Sequence, residues 1–230
     1  MHVPDGFLDA PTSVATGVVA AAAVGIALKG ARRELDDRTA PLAGLVAAFV
    51  FAVQMLNFPV ASGTTGHLMG GALAAVLVGP FTAVLCTSCV FIVQCLLFAD
   101  GGITALGTNI LLMGVTTVVV GWFVFKGVQL VLPKVPGMAA PAAFAAALVS
   151  VVVASLVFVG LYAVGGTADL SLGSLAGAMV GVHTLIGIGE GVITFLAVGS
   201  ILAVRPDLVY GARPLLERRE LEIRTPEAAA

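Results

Sequence analysis

Charge is what this sequence has least of. Only 10% of its 230 residues are Asp, Glu, Lys or Arg, against about 25% in a soluble globular domain. That shortage excludes an ordinary water-soluble domain, and a net charge of −2 gives no sign of a nucleic-acid partner. Three cysteines, Cys86, Cys89 and Cys95, share one apolar run. A lone CxxC there reads as buried, reduced thiols acting as small apolar side chains rather than as a redox or metal pair. No GxxxxGK[ST] loop is present to hold ATP phosphates, and no HExxH pattern is present to build a metalloprotease. The spacing from His183 to Glu190 does not replace it. Internal repeats and low-complexity stretches are also missing. The amino-terminal MHVPDGFLD carries no Lys or Arg and no apolar core, so it is expected to stay rather than be removed as a signal.

What remains is apolar. Hydrophobic residues make up 59% of the chain, and the mean hydropathy is +1.10. The long unbroken runs predict an all-α membrane protein, since helices satisfy their own backbone hydrogen bonds in lipid. The 28 glycines and many alanines suit close helix packing. The runs lie at 12–29, 40–58, 67–79, 81–98, 103–125, 139–164 and 175–204. The stretch from His67 to Phe98 is uncharged and too long for one span of about 20 residues. Gly79-Pro80 divides it, because proline ends a helix. The first piece, about 20 Å long at ~1.5 Å per residue, begins at a recessed loop.

Charge then sets the topology. All eleven Lys and Arg residues fall at Lys29 to Arg38, Lys126, Lys134 and Arg205 to Arg224, whereas Asp5, Asp9, Asp100 and Asp169 occupy the other loops. Basic loops face the cytoplasm. A bundle of seven transmembrane helices with the N-terminus outside and the C-terminus cytoplasmic puts every basic residue inside. Merging 67–98 into one span would move Lys126 and Lys134 outside. The chain thus divides into a transmembrane domain, 1–204, and a short cytoplasmic tail, 205–230, expected to fray.

The metal reading starts at position 2. A free α-amine, the amide nitrogen of residue 2 and the imidazole Nδ1 of His2 can chelate one ion through a five-membered and a six-membered ring. Such a planar nitrogen set suits Ni(II) or Cu(II), with Co(II) also compatible, and binding releases protons. One corner is left for a second imidazole. His67 follows the Gly/Ser/Thr-rich loop 62–66 on the same face, and the chain has only three histidines. The expected ligands are therefore Met1, His2 and His67. His183 and Glu190, seven residues apart, share a face of the last span; they read equally as a functional pair and as a packing pair. Gln54, Asn57, Gln94 and Asn109 are polar residues of the spans that either orient the ligands or tie helices together. Asp5 either accepts a hydrogen bond from His2 or caps the first turn.

MHVPDGFLD, AVQMLNFPVASGTTGHLMGGALAAVLVGP, LLFADGGITALGTNILLMG and HTLIGIGEGVIT together resemble the nickel/cobalt substrate-binding membrane subunit of energy-coupling-factor transporters, the CbiM/NikM family, from Met1 to about Arg205. The resemblance implies a seven-helix bundle in a prokaryotic cell membrane. It implies metal held by the Met1 amine, the amide and imidazole of His2, and His67, with Ni(II) or Co(II) as cargo and no cofactor. It implies no catalysis by this chain. Its partners would be a membrane coupling subunit, two cytoplasmic ATPase subunits and, in some systems, a small accessory membrane subunit. Pro-Asp-Gly after the first three residues looks nickel-like, but both metals accept these nitrogens; cobalt would imply a link to cobalamin synthesis. The competing reading is a self-sufficient, proton-coupled carrier that uses His183 and Glu190 as a relay.

Overall fold

The structure is a computed structural model that describes residues 1–37, 39–59 and 65–224. Arg38, the heart of the loop 57–66 and the end of the tail at 225–230 lie outside the described residues. Along the chain come α1 (Ala10–Glu34), α2 (Thr39–Gln54), β1 (Phe58–Pro59), β2 (Thr65–Gly66), α3 (Gly71–Val78), α4 (Pro80–Phe98), α5 (Leu106–Asn109), a π-helical segment (Ile110–Val115), α6 (Thr116–Val131), α7 (Ala139–Gly165), α8 (Leu172–Val204) and α9 (Arg213–Arg224). β1 and β2 form a two-residue antiparallel ribbon.

Every apolar run of the sequence holds a helix. Five helical segments are long and apolar enough to cross a membrane, namely Ala10–Glu34, Pro80–Phe98, Leu106–Val131, Pro136–Gly165 and Leu172–Val204; Thr39–Gln54 is a shorter apolar helix. Their outward faces carry exposed aliphatic side chains, among them Val14, Val18, Ile26 and Leu28 on α1, as a lipid-facing surface requires. The inner face of α7 is a run of buried alanines, Ala139, Ala140, Ala142, Ala143, Ala146 and Ala147, which lets neighbouring helices approach closely.

Local chemistry sets the helix ends. Asp9 caps α1 by accepting a hydrogen bond from Thr12 N at 2.9 Å, and Arg32 and Arg33 sit in its last turn, where cations suit the helix dipole. The break expected at Gly79-Pro80 is present. Gly79 adopts φ 93°, where a side chain is strained, and Pro80 occupies the first turn of α4. The buried Glu34 carboxylate accepts the exposed N–H groups there, from Phe81 at 3.2 Å and Thr82 at 2.7 Å.

Two expectations change. The third helix is shorter than its apolar run: α3 has eight residues, about 12 Å at ~1.5 Å each. His67 precedes the helix instead of starting it, because Gly70 takes φ 75° and the N–H groups of Met69 and Gly70 are bound by Glu190 at 2.5 and 2.9 Å. All eight residues of α3 are buried, so it forms the centre of the bundle. The tail is ordered at its start. Val209 and Ala212 pack in the core cluster around α3, and α9 follows as a helix in place of a frayed segment.

Candidate metal centre

The first nine residues run inward. Met1, His2 and Val3 are 1%, 7% and 1% exposed, in a cluster with Leu8, Met69, Phe91, Met113 and Met179. Backbone pairing holds this segment from two sides. On one side, Val3 N donates to Asn109 Oδ1 at 2.7 Å and Asn109 Nδ2 donates back to Val3 O at 3.1 Å, so the side-chain amide imitates a neighbouring strand. Gly102 N also donates to Val3 O, at 2.9 Å. A Cβ on Gly102 would lie 2.3 Å from Asp5 N, so only glycine admits this approach. On the other side, Asp9 N donates to Gly165 O at 2.7 Å and Thr167 N donates to Phe7 O at 3.1 Å. Asn109 stands just before the π-helical segment, a widened turn of the kind often found at functional sites.

The two histidines expected as ligands lie side by side. The His2 and His67 rings stack with centroids 4.7 Å apart. Their hydrogen bonds decide which nitrogens are free. Met69 O can only accept, and it takes a hydrogen bond from Gln54 Nε2 at 2.7 Å. Gln54 Oε1 therefore points the other way and accepts from Gln94 Nε2 at 2.9 Å. Gln94 Oε1 in turn accepts from His2 Nε2 at 3.1 Å. The direction propagates along the chain, so Nε2 carries a proton, and in the neutral ring the lone pair is on Nδ1, the nitrogen that can close a six-membered ring with the residue's own amide. His67 Nδ1 donates to Leu68 O at 2.8 Å, which leaves the lone pair on Nε2. Both free nitrogens, His2 Nδ1 and His67 Nε2, are buried without a hydrogen-bond partner. Such orphans cost about 1–3 kcal/mol each, and a bound cation would remove that cost.

Charge at the centre fits a cation. Burial pushes the Met1 amino group down to about 4, so in the docked segment it presents a lone pair near neutral pH. Asp100 Oδ1 lies 3.1 Å from His2 Nδ1, an ion-pair distance off the line of a hydrogen bond. A lone pair facing a carboxylate repels it unless a positive charge stands between them. A divalent ion with one deprotonated amide carries a net charge of +1, which one carboxylate balances.

Among the described residues no three His, Cys, Asp or Glu side chains gather to hold an ion; the donor set is two imidazoles completed by the backbone. Asp5 does not meet His2. It accepts from Thr104 N at 2.8 Å and from Thr104 Oγ1 at 2.5 Å, which hold its carboxyl low, and Asp9 takes the capping role. The acid beside His2 is Asp100, which the sequence reading placed only as an outer loop acid. Its signal was the Ala-Asp-Gly-Gly turn on the same face as the N-terminus. Gln54, Gln94 and Asn109 all reach the site, and Asn57 lies beside Asp100. His183 and Glu190 do not pair with each other: His183 Nδ1 donates to Met179 O at 2.8 Å, whereas Glu190 holds the backbone that follows His67.

Comparison with known proteins identifies a family. Residues 2–208 match the family CbiM, described as the cobalt uptake substrate-specific transmembrane region. A Haloquadratum walsbyi protein named for metal transport is 39% identical over 212 residues, 91% of this chain and 94% of that protein. The fused nickel transport protein NikMN of Rhodobacter capsulatus is 42% identical over 115 residues, 50% of this chain and 33% of that longer protein. The crystal structure of a truncated transition metal transporter superposes with a TM-score of 0.80 at 29% identity, covering 88% of this chain and 99% of that one. With the family matched along nearly its whole length, this chain belongs to the CbiM family of cobalt uptake transmembrane proteins.

Proposed function

We propose that this chain is the substrate-capture component of an ATP-driven energy-coupling-factor importer for Ni(II) or Co(II). The ion is held by the Met1 amine, the His2 amide nitrogen and Nδ1, and His67 Nε2. The observation that carries this reading is the convergence of two buried imidazole lone pairs without partners on a buried amino terminus whose burial favours the neutral amine. The relatives' names supply the substrate class, cobalt for the family and nickel for the fused protein. Planar nitrogen ligation suits Ni(II) and is compatible with Co(II), so the donor set does not separate them.

The chain is a non-catalytic, multi-pass subunit of a prokaryotic plasma membrane. It forms a seven-span bundle with the N-terminus outside, in which α2 and the short α3 complete the five longer helices. Having no phosphate-binding loop of its own, it depends on a membrane coupling subunit and two cytoplasmic ATPase subunits for inward release, with a small accessory membrane subunit in some assemblies. Titration calorimetry with Ni(II) and Co(II) on the purified protein tests the site. His2→Ala and His67→Ala should each lower affinity by at least about 100-fold, as loss of a ligand exceeds the 10–100-fold typical of outer partners. Unchanged affinity in either variant defeats the assignment. Uptake at the full rate in cells without any ATPase partner would instead select the self-sufficient carrier built on His183 and Glu190.

A further inference from the structure

Residues 10–28 of α1 are uncharged and span about 28 Å at ~1.5 Å per residue, close to the ~30 Å hydrocarbon core of a bilayer. The next residue is Lys29. With α1 crossing the membrane, Lys29 and Arg33 stand at the headgroup level, at the end that the charge pattern assigns to the cytoplasm. Both are exposed, and neither forms an ion pair among the described residues. In a bilayer the environment of these two cations is the headgroup region.

They flank a cleft instead of a flat surface. Ile26, Lys29, Gly30 and Arg33, spaced i, i+3, i+4 and i+7, share one face of α1 and form one wall of a cavity of about 320 Å³. Phe81, in the first turn of α4, and Tyr210, from the segment after α8, line the other side. A Cβ on Gly30 would lie 2.2 Å from Phe81 Cγ, so only the bare backbone lets that ring lie directly on α1. The acid of the lining, Glu34, is 4% exposed and accepts from Phe81 N and Thr82 N, where the positive end of the α4 dipole offsets its charge. Arg213, over the Tyr210 ring, reaches Asp36 at 3.8 Å, so that pair adds little net charge. What remains is a cationic rim, Lys29 and Arg33, with apolar Ile26 and Phe81 beside it. Ile26 lies one turn deeper in the membrane than Gly30.

We propose that this cleft holds the headgroup of an anionic phospholipid of the inner leaflet, with Lys29 and Arg33 on the phosphate and Ile26 and Phe81 against the start of an acyl chain. Basic pockets between transmembrane helices on the cytoplasmic side take such headgroups. The lipid bridges α1, α4 and the segment at Tyr210. A free phosphate ion uses the two cations but leaves Ile26 and Phe81 without a role, and an acidic protein surface does not call for an apolar wall one turn inside the bilayer. The inference rests on α1 crossing the membrane and is independent of the metal site.

Native mass spectrometry of the purified full chain, titrated in detergent with phosphatidylglycerol or with phosphatidylcholine, tests the site. The wild type should bind phosphatidylglycerol more tightly. Each cation near an anionic surface contributes roughly a factor of five, so Lys29→Gln combined with Arg33→Gln should lower phosphatidylglycerol affinity about 25-fold and leave phosphatidylcholine unchanged. Arg32→Gln combined with Lys134→Gln removes the same charge from exposed positions outside the cleft and should bind as the wild type does. Equal losses in the two double variants overturn the site by reducing it to net charge. Wild-type affinity without Lys29 and Arg33 overturns it as well. So does a wild type with no preference between the two lipids, which leaves the cations to an acidic protein partner. Inorganic phosphate in excess should leave the lipid in place, and displacement overturns the lipid assignment in favour of free phosphate. Where the double variant fails to fold, Lys29→Gln and Arg33→Gln are read singly, each with about a fivefold loss.

Discussion

Gln94 decides which nitrogen of His2 is free. The only fixed acceptor in its chain is a backbone carbonyl, Met69 O, and the two glutamines pass that polarity on to the imidazole. Gln94→Leu removes the acceptor for Nε2–H, so the ring is free to change tautomer and rotate. Ni(II) affinity measured by calorimetry should fall about 10–100-fold, while the ligands themselves remain. A second residue-scale consequence concerns pH. Burial lowers the Met1 amine from 8.0 to about 4 in the docked segment. Between those values the released segment binds a proton that the docked one does not, so docking is fully favoured above pH 8 and weakens as pH falls toward 4. Hydrogen exchange at Val3 N–H, which Asn109 Oδ1 accepts, should show this. After correction for intrinsic rates, protection of Val3 relative to the amides of α7 should drop across that window in the metal-free protein.

At the scale of elements, α3 depends on two glutamates that are not its own. Glu190 from α8 binds the N–H groups ahead of α3, and Glu34 from α1 binds those at the start of α4. Both ends of the short central helix are thereby fixed to neighbours, and the Glu190 contact also fixes the backbone two residues after His67. Glu190→Ala leaves two buried donors unpaired, at about 1–3 kcal/mol each, and frees the loop that carries the second imidazole. The expected result is a lower unfolding midpoint in detergent together with weaker Ni(II) binding. Glu190→Gln, which keeps one acceptor oxygen, should lie between alanine and wild type in both measurements. An unchanged midpoint in Glu190→Ala would show that α3 does not depend on this tether.

For the whole molecule, the bundle wraps its own amino terminus. Residues 1–9 are gripped by the loop between α4 and α5 and by the loop between α7 and α8, so the site sits where three segments far apart in sequence meet on one end of the bundle. The topology proposed from charge places that end outside. Single cysteines introduced at Asp169 and at Lys134 in a background lacking Cys86, Cys89 and Cys95 should separate the two faces. A membrane-impermeant thiol reagent applied to intact cells should label position 169 and spare position 134, and the reverse pattern would invert the bundle.

The sequence by itself determined the class, the places of the apolar runs and the candidate ligands. Hydropathy and the placement of eleven basic residues are properties of consecutive residues, and so are the Gly79-Pro80 break and the histidine at position 2. His2 and His67 were legible as candidates because chelation by a terminal amine, its neighbouring amide and an imidazole is written into adjacent positions. Only the tertiary structure decided what surrounds them. That Asp100 rather than Asp5 stands beside His2, that Gln54 and Gln94 relay a proton direction, and that Glu190 shortens α3 by capturing Met69 and Gly70 are contacts between residues separated by tens of positions in the chain. No local pattern encodes such contacts: a buried polar side chain takes whichever partner the packed helices bring within hydrogen-bond reach, and that is settled only when the bundle closes.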